Sequence, residues 1–392
     1  MLSFLNRACK PLAHLGRVLG LMTLAACTTV SFGGGGGPAI DPNAPVPVAL
    51  LVPGAGGLPG DDQLSRELQN AARLAIADLG NVRIDLRVYQ TSSDPAQAQA
   101  MAIRAVDEGA KIILGPVRAQ EANAAGVAVA ARGINVLSFS NNTDIAGGNV
   151  FILGPTFQNT ARRLGRYAVR QGQGRIMVVY DKTTAGEIGR AAIDAGVRSA
   201  GATVVATGAY DLSQNGIVAA VPGIAAAAQA NGAQAMFFTG EGVTAIPLVT
   251  QLLADNGVSP STTRYIGLTR WDFPPQLLTL PSLQGGWFAL PDPALYQQFQ
   301  SRYQAAYGAT PSAISGLAYD GIAAIGALVK NGQSNALTGA ALTQGAGFVG
   351  VNGIFRLRGD GTNERGLAIA QIRNSQVVVI DPAPRSFAGA GF

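Results

Sequence analysis

Beyond residue 27 the sequence contains neither histidine nor cysteine, because the only cysteines are Cys9 and Cys27 and the only histidine is His14. This absence excludes a Ser-His-Asp triad, a cysteine nucleophile, a histidine base and a zinc site of the Cys/His kind from the body of the chain. No metal site is therefore expected. Carboxylate, lysine and serine chemistry remains open.

Charge is also scarce, at 13% of residues, and the formal net charge is only +5. Three of the basic residues, Arg7, Lys10 and Arg17, lie in a segment that we expect to be removed, so the mature chain is nearly neutral. Nucleic-acid binding requires basic residues massed on one face. A nucleic-acid partner is therefore not expected.

The composition itself is that of a folded protein. Of the 392 residues, 48% are hydrophobic, 51 are glycine and 21 are proline. These values exclude disorder for the bulk of the chain and favour a soluble α/β protein of one large or two medium domains.

Residues 1–26 have the features of an export signal. A positive region precedes the apolar stretch VLGLMTLAA at 18–26, which is too short to span a bilayer as a mature helix. The segment ends in LAAC at 24–27, which resembles the lipobox of bacterial lipoproteins, where the cysteine, here Cys27, becomes the lipid-modified first residue. An ordinary signal peptide and an N-terminal anchor helix are the alternatives.

The residues after Cys27 extend this interpretation. Enterobacterial sorting retains lipoproteins at the inner membrane when aspartate follows the cysteine, and Thr28 stands there, so the resemblance implies an outer-membrane anchor that faces the periplasm. Residues 27–45 contain five consecutive glycines and three prolines and have almost nothing to bury. We expect this segment to be a flexible tether.

From Val46 onward, short apolar runs alternate with amphipathic stretches. Continuous apolar strands that alternate with helices predict parallel sheets covered on both faces, and there are too many strands for one sheet. The fold class expected is α/β, with two doubly wound parallel-sheet lobes joined by a hinge. The predicted strands are Val46–Val52, Val82–Tyr89, Lys111–Leu114, Asn135–Ser138, Arg175–Tyr180, Thr203–Thr207, Ala235–Phe238 and Arg264–Gly267, and the predicted helices are 61–79, 95–108, 119–131, 157–171, 185–200, 216–230 and 243–256.

Two enzyme classes were weighed against this pattern. The turn GAGGLPG at 54–60 differs from a dinucleotide fingerprint by one residue, the next strand is followed by QTS at 90–92 rather than an acidic residue, and no GxxxxGK[ST] motif is present. A carboxylate pair such as Glu241 and Asp272 could hydrolyse a glycan. Aromatic residues, which line the grooves of such enzymes, make up only 6% of the chain. Neither an enzyme nor a cofactor is therefore expected.

Four stretches of the sequence carry a family resemblance: GAKIILGP at 109–116, VLSFSNNT at 136–143, LAYDG at 317–321 and GIFRLRGDG at 353–361. Over roughly residues 46 to 380 the chain resembles the type I periplasmic binding proteins of the Leu/Ile/Val-binding family, the substrate-binding proteins of branched-chain amino acid ABC transporters. The resemblance implies two lobes that close around a small polar ligand such as an amino acid or short peptide, for delivery to an ABC permease.

A lipoprotein branch of the same superfamily, the penicillin-binding protein activators, is similar in WD at 271–272, LQGGWFA at 283–289 and the lipobox. The long helical N-terminal domain of its enterobacterial members is missing. The similarity nevertheless implies an alternative to import, which is regulation of peptidoglycan synthesis through contact with a penicillin-binding protein. The expected organisation is a signal peptide at 1–26, a tether at 27–45, a first lobe at 46–153 plus about 290–340, and a second lobe at 154–289 plus about 341–392.

Ligands of open parallel sheets bind outside the carboxyl ends of the strands. By match to the family, Ser138, Ser140 and Asn141 are expected to bind the ligand through hydroxyl and amide groups. Arg118 takes the place of the family's usual serine and could pair with a carboxylate or with Glu121. The remaining candidates stand in the other strand-end loops, where Glu241 or Asp272 could hold an ammonium and Trp271 could stack or pack; they are Gln120, Asp181, Thr183, Thr239, Glu241, Trp271 and Asp272.

The anchor hypothesis makes a direct prediction. Cys27→Ser should abolish membrane attachment, because the lipid is expected on that residue, and should leave the body folded and soluble, because the tether buries nothing. Fractionation after a high-salt wash measures this. A variant that still partitions with membranes contradicts the lipoprotein assignment.

Overall fold

The computed structural model describes residues 37–240 and 242–388. Cys27, the predicted signal segment and Glu241 lie outside the described residues. No helix within the described ranges is long and apolar enough to cross a membrane.

The first sheet has five parallel strands in the order β2-β1-β3-β4-β5. Its interior strand β1, VPVALLV, is apolar throughout and almost wholly buried, as expected for a strand covered on both faces. α-Helices connect the strands from β1 to β4, and a short 3-10 turn at Thr143–Ile145 connects β4 to β5. Helix α2 begins at a proline after Asp94, whose side chain accepts the N–H of Gln97. The elements are β1 Val46–Val52, α1 Asp61–Asp78, β2 Ile84–Gln90, α2 Pro95–Asp107, β3 Ile112–Leu114, α3 Ala119–Ala130, β4 Val136–Ser138 and β5 Val150–Ile152.

The second sheet has seven strands in the order β15-β14-β10-β9-β8-β6-β7. The strands from β6 to β10 run parallel, and β14 and β15 add an antiparallel edge. The elements are α4 Phe157–Arg170, β6 Arg175–Asp181, α5 Thr184–Ser199, β7 Thr203–Tyr210, α6 Gln214–Ala230, β8 Ala235–Phe238, α7 Gly242–Asp255, β9 Arg264–Gly267, β10 Trp287–Leu290, β14 Ala368–Arg373 and β15 Gln376–Asp381. The predicted class of two doubly wound lobes is confirmed.

The rest of the chain returns to the first lobe. Helix α1 packs on α9, and a small antiparallel sheet buries Phe348 and Phe355 in the same core as Leu50. We expected the first lobe to end near residue 340, but the apolar faces of these strands extend its core to Leu357. The added elements are α8 Pro293–Tyr307, α9 Ser315–Val329, α10 Gly339–Leu342, β11 Phe348–Gly350, β12 Gly353–Leu357 and β13 Asn363–Arg365.

The chain crosses between the lobes three times, after β5, after β10 and after β13. Polar side chains of β13 join the first and third crossings. The Asn363 side-chain amide donates to the carbonyl oxygens of Ile152 and Gly154, each at 2.8 Å, and its side-chain oxygen accepts from Asn159 at 2.6 Å. These bonds fix the start of α4 against the first lobe.

A buried ion pair lies beside these crossings. The side chains of Asp320 and Arg365 are at most 2% exposed, and Arg365 Nη1 lies 3.0 Å from Asp320 Oδ2. Arg365 Nε also donates to the carbonyl oxygen of Leu153 at 2.9 Å, and Asp320 accepts from the backbone N–H of Val351 at 2.8 Å. A buried charge of this kind is tolerated only where its hydrogen-bonding capacity is met, as it is here.

The predicted tether is partly wrong. Within 27–45, residues from 37 onward pack on the first lobe. The Ile40 side chain is buried and its N–H donates to the carbonyl oxygen of Ser334 at 2.8 Å. Burial of one apolar side chain holds this glycine- and proline-rich segment against the lobe. Residues 37–45 are therefore not part of a flexible tether.

The ion pair gives a stability prediction. Asp320→Ala leaves the buried guanidinium of Arg365 uncompensated and should lower the free energy of unfolding by about 3–5 kcal/mol. The matched control is Asp211→Ala, which removes an exposed pair with Lys182 and should cost about 0–1 kcal/mol. Urea unfolding measures both, and equal costs for the two variants contradict the role assigned to the pair.

Candidate functional site

A cavity of about 490 Å³ lies between the two lobes, at the carboxyl ends of their strands. Loops that follow β3 and β4 contribute to its first-lobe wall. The loop that follows β9 and the end of β10 contribute to its second-lobe wall. Most of its lining is apolar. The lining residues are Val117, Phe139, Ser140, Asn141, Ala313, Ile314, Leu317 and Asn352 from the first lobe, Pro155, Thr156, Phe157, Thr160, Pro291, Arg365 and Leu367 at or near the crossings, and Leu268, Thr269, Arg270, Ala289 and Leu290 from the second lobe.

The loop after β4 is held in shape by its own hydroxyl groups. Ser138 donates from Oγ to the carbonyl oxygen of Pro116 and accepts the N–H of Ser140, both at 3.1 Å. Ser140 Oγ in turn accepts the N–H of Asn142 at 3.1 Å, which leaves the Ser140 hydroxyl hydrogen for another acceptor. Ser140 and the exposed Asn141 line the cavity, whereas Ser138 is fully buried behind them.

Arg270 supplies a cation from the opposite wall. Its Nε donates to Asp272 Oδ1 at 2.8 Å, and its Nη2 donates to the other carboxylate oxygen. Hydrogen bonds to this carboxylate raise the pKa of Arg270 above its ordinary value. Asp272 therefore orients the guanidinium, and Nη1 makes no hydrogen bond to any described residue.

The ionisable side chains of the cavity lining are both arginines, and each is paired with a carboxylate behind it. Arg270 and Arg365 are the ionisable residues of its lining, and the described lining residues include no carboxylate. Arg365 is already engaged by Asp320 and by the Leu153 carbonyl. The arrangement therefore offers one oriented guanidinium, a hydroxyl and a side-chain amide to an anion, beside an apolar wall.

Arg118 takes part in a separate polar network at the ends of β2 and β3. Its Nη2 donates to Asp61 Oδ1 at 2.6 Å, its Nη1 donates to Ser93 Oγ, and Nη1 lies 3.6 Å from Glu121 Oε1. The other oxygen of Glu121 accepts from Thr91 at 2.5 Å. Arg118 does not line the cavity; it neutralises two buried carboxylates below it.

The two carboxyl groups of this network respond oppositely. Burial is the largest effect on both. For Asp61, hydrogen bonds from Ser93 and Arg118 outweigh burial, so its pKa lies below the ordinary value. For Glu121, burial prevails over the hydrogen bond from Thr91 and over Arg118, so its pKa is raised.

The remaining predicted site residues lie outside the cavity lining. Trp271 is fully buried in the second-lobe core, 6.2 Å from the Phe238 ring, and the exclusion of its ring from the cleft removes it from the proposed site. Asp181 accepts from the backbone N–H of Thr183, the N-cap residue of α5. Thr239 is buried with a hydroxyl that lacks a hydrogen-bond partner among the described residues, and Gln120 is exposed on α3.

Arg270 is the residue that our sequence analysis did not single out, although it immediately precedes the candidates Trp271 and Asp272. An arginine two residues before an aspartate in a strand-end loop is the available signal, since the two charges can pair locally. Asn352 and Thr160 reach the cavity only through the tertiary fold, and no local pattern marks them.

A family model described as periplasmic binding protein matches residues 45–376. The chain belongs to this family. The resemblance inferred from the sequence is thereby confirmed at the level of family and fold, whereas the lipoprotein branch stays a prediction. No curated protein matches the chain.

Solved structures share the fold at low sequence identity. One is a putative branched-chain amino acid ABC transporter protein from Rhodospirillum rubrum, with a TM-score of 0.73, 19% identity, and coverage of 86% of this chain and 100% of that one. A substrate-binding protein from Desulfitobacterium hafniense in complex with Leu has a TM-score of 0.63 and 17% identity, with coverage of 86% of this chain and 100% of that one. A solute-binding protein from R. palustris in complex with benzoate has a TM-score of 0.55 and 18% identity, with coverage of 89% of this chain and 99% of that one.

The Arg118 network makes a pH-dependent prediction. Arg118→Ala leaves Asp61 and Glu121 buried without a cation, so it should lower the free energy of unfolding by about 1–3 kcal/mol at pH 7. Loss of the guanidinium raises the pKa of both carboxyls relative to the wild type, so the cost of the substitution grows as pH rises through the range in which they ionise, near and above their ordinary values of 3.8 and 4.5. The cost should therefore be smaller at pH 4.

Urea unfolding at the two pH values measures this difference. The control is Arg132→Ala, which removes an exposed pair with Asp107. A cost for Arg118→Ala that is the same at pH 4 and pH 7 is inconsistent with the proposed neutralisation of the two carboxylates.

Proposed function

We propose that this periplasmic binding protein captures a small solute with a carboxylate on an apolar body, and that it delivers this solute to an ABC-type importer. The observation that carries the proposal is the cleft itself, in which the oriented guanidinium of Arg270 faces an apolar cavity whose described lining has no carboxylate. The role is binding, and it requires no catalytic residue.

The polar end of the cleft suits a carboxylate. Arg270 on the second lobe and Ser140 and Asn141 on the first are donors with capacity to spare. Charge-assisted hydrogen bonds from such groups are stronger than neutral ones. A carboxylate that bridges these donors binds the closed form better than the open form and shifts the hinge equilibrium toward closure.

The apolar end sets the rest of the ligand. Phe139, Ile314 and Leu317 from the first lobe and Leu268 and Leu290 from the second surround the space. The cavity volume of about 490 Å³ lies within the range of roughly 300–1,000 Å³ for small-molecule sites. An aliphatic or aromatic group of up to about the size of a large amino-acid side chain fits against these residues.

Recognition of an ammonium group on the solute would depend on Glu241, which follows β8 and lies outside the described residues. The comparisons supply both cases, since one similar structure holds leucine and another holds benzoate. An amino acid requires a carboxylate for its ammonium, and Glu241 is our candidate for that role. A carboxylic acid without an amino group does not require Glu241.

The first test concerns the carboxylate. A thermal-shift screen of amino acids and of aliphatic and aromatic carboxylic acids should give at least one ligand, with the dissociation constant then measured by calorimetry. Arg270→Met should raise that constant about 10- to 100-fold, the equivalent of a charged hydrogen bond of roughly 1.5–3 kcal/mol. Arg132→Met, at an exposed arginine of the first lobe, is the matched control and should leave it unchanged.

The second measurement uses a matched ligand pair. Leucine and 4-methylpentanoate share a carboxylate and an apolar body and differ in the ammonium group. If the solute is an amino acid, Glu241→Gln weakens leucine and leaves 4-methylpentanoate unaffected; if it is a simple acid, the variant binds both as the wild type does. A screen without any carboxylate ligand, or equal effects of Arg270→Met and Arg132→Met, contradicts the proposal. A penicillin-binding protein bound in place of any solute would support the regulatory alternative.

A further inference from the structure

The chain approaches the first lobe once more after its last strand. Strand β15 ends at Asp381 on the second lobe, and the segment Pro382–Phe387, here called the strap, runs from there to β12 of the first lobe. We propose that the strap is a fourth, non-covalent link between the lobes that limits how far the cleft opens. The proposal does not depend on which solute binds.

The second-lobe end of the strap is firmly held. Arg163 Nη1 and Arg170 Nη2, both on α4, lie 2.9 Å and 2.6 Å from Asp381 Oδ2. Arg163 also donates to the carbonyl oxygens of Leu367 at 2.8 Å and Pro382 at 3.3 Å. One buried arginine therefore joins the third crossing, the end of β15 and the start of the strap.

The first-lobe end rests on Arg356. The guanidinium carbon of Arg356 lies 4.5 Å from the centre of the Phe387 ring, which is the geometry of a cation–π contact. Arg356 Nε is fixed by a hydrogen bond of 2.8 Å to Glu364, a carboxylate that also pairs with Arg162 of α4 at 3.1 Å. The ring thus packs against a charge cluster that already spans both lobes.

Two glycines leave room for the strap to pass. A side chain at Gly347, whose φ is +69°, would come within 2.7 Å of the Phe387 ring. A side chain at Gly366, on the third crossing, would come within 3.0 Å of the carbonyl oxygen of Pro384. The first contact is closer than a β-carbon tolerates without displacement and the second is at the limit, so the strap lies directly against the hinge and against the turn before β11.

A link at this place opposes hinge motion. Opening rotates the lobes about the three crossings, and a segment held at Asp381 on one lobe and at Phe387 on the other must stretch or release its ring. A cation–π contact at a partly exposed site is worth roughly 0.5–1 kcal/mol, which corresponds to about a two- to fivefold change in the ratio of open to closed molecules.

Inter-lobe distances in the solute-free protein test the strap. The body has no cysteine, so the full chain with Cys9→Ser and Cys27→Ser accepts spin labels at Asn123→Cys on α3 and Ala219→Cys on α6, both exposed. Pulsed electron resonance should show the long-distance population rise two- to fivefold in Phe387→Ala. A chain that ends after Pro384 should behave in the same way.

Two further variants test whether the effect comes from the Phe387 ring or from any change in the strap. Arg385→Ala, at an exposed position of the strap, should keep the parent distribution, and Arg356→Lys should widen it, because lysine preserves the charge opposite Glu364 but loses the planar stack. Circular dichroism verifies that each variant is folded. A distribution that is unchanged in both Phe387→Ala and the shortened chain, or that widens equally in Arg385→Ala, overturns the proposal.

Discussion

The buried pair of Asp320 and Arg365 is the constraint on which the two-lobed structure depends. Two charges withdrawn from water are stable only if every remaining donor and acceptor is met. Each nitrogen of the Arg365 guanidinium donates one hydrogen bond, to Asp320 or to the Leu153 carbonyl, and Asp320 also accepts from Val351 and from the side-chain amide of Asn352 at 3.1 Å. The pair therefore fixes the first crossing, helix α9, the turn before β12 and the third crossing relative to one another.

The same pair contributes Arg365 to the wall of the cavity. Arg365 and Asn352 both line it, and both already donate to Asp320. Arg270, oriented by Asp272, lines the second-lobe side with an Nη1 that makes no hydrogen bond to any described residue, and Ser140 and Asn141 line the first-lobe side. The lining therefore combines polar donors with a largely apolar surface, which is the combination that our proposed solute with one carboxylate and one apolar body requires.

The parallel core was predictable from the sequence because its strands are continuous apolar runs, and β1 and β8 were placed at their exact bounds. The small antiparallel sheet was not predicted, since strands of three residues such as β11 and β13 carry no periodicity of their own. In the site, Ser140 and Asn141 were found through a family phrase. For Arg118 and Trp271 the sequence left a binding role and a structural role open, and the structure favours the structural one. The Arg118 contact with Glu121 follows from local spacing, whereas the contact with Asp61 and the packing of Trp271 in the second-lobe core are set by tertiary contacts.

The most direct test of the account is a crystal structure of the protein with the tightest carboxylate ligand bound. The account predicts one ligand between the lobes, with a carboxylate oxygen within hydrogen-bond distance of Arg270 Nη1 and a second contact to Ser140 or Asn141, and with its apolar body against Phe139 and Leu290. A ligand bound outside this cleft, or bound within it with the carboxylate directed away from Arg270, would contradict the central claim.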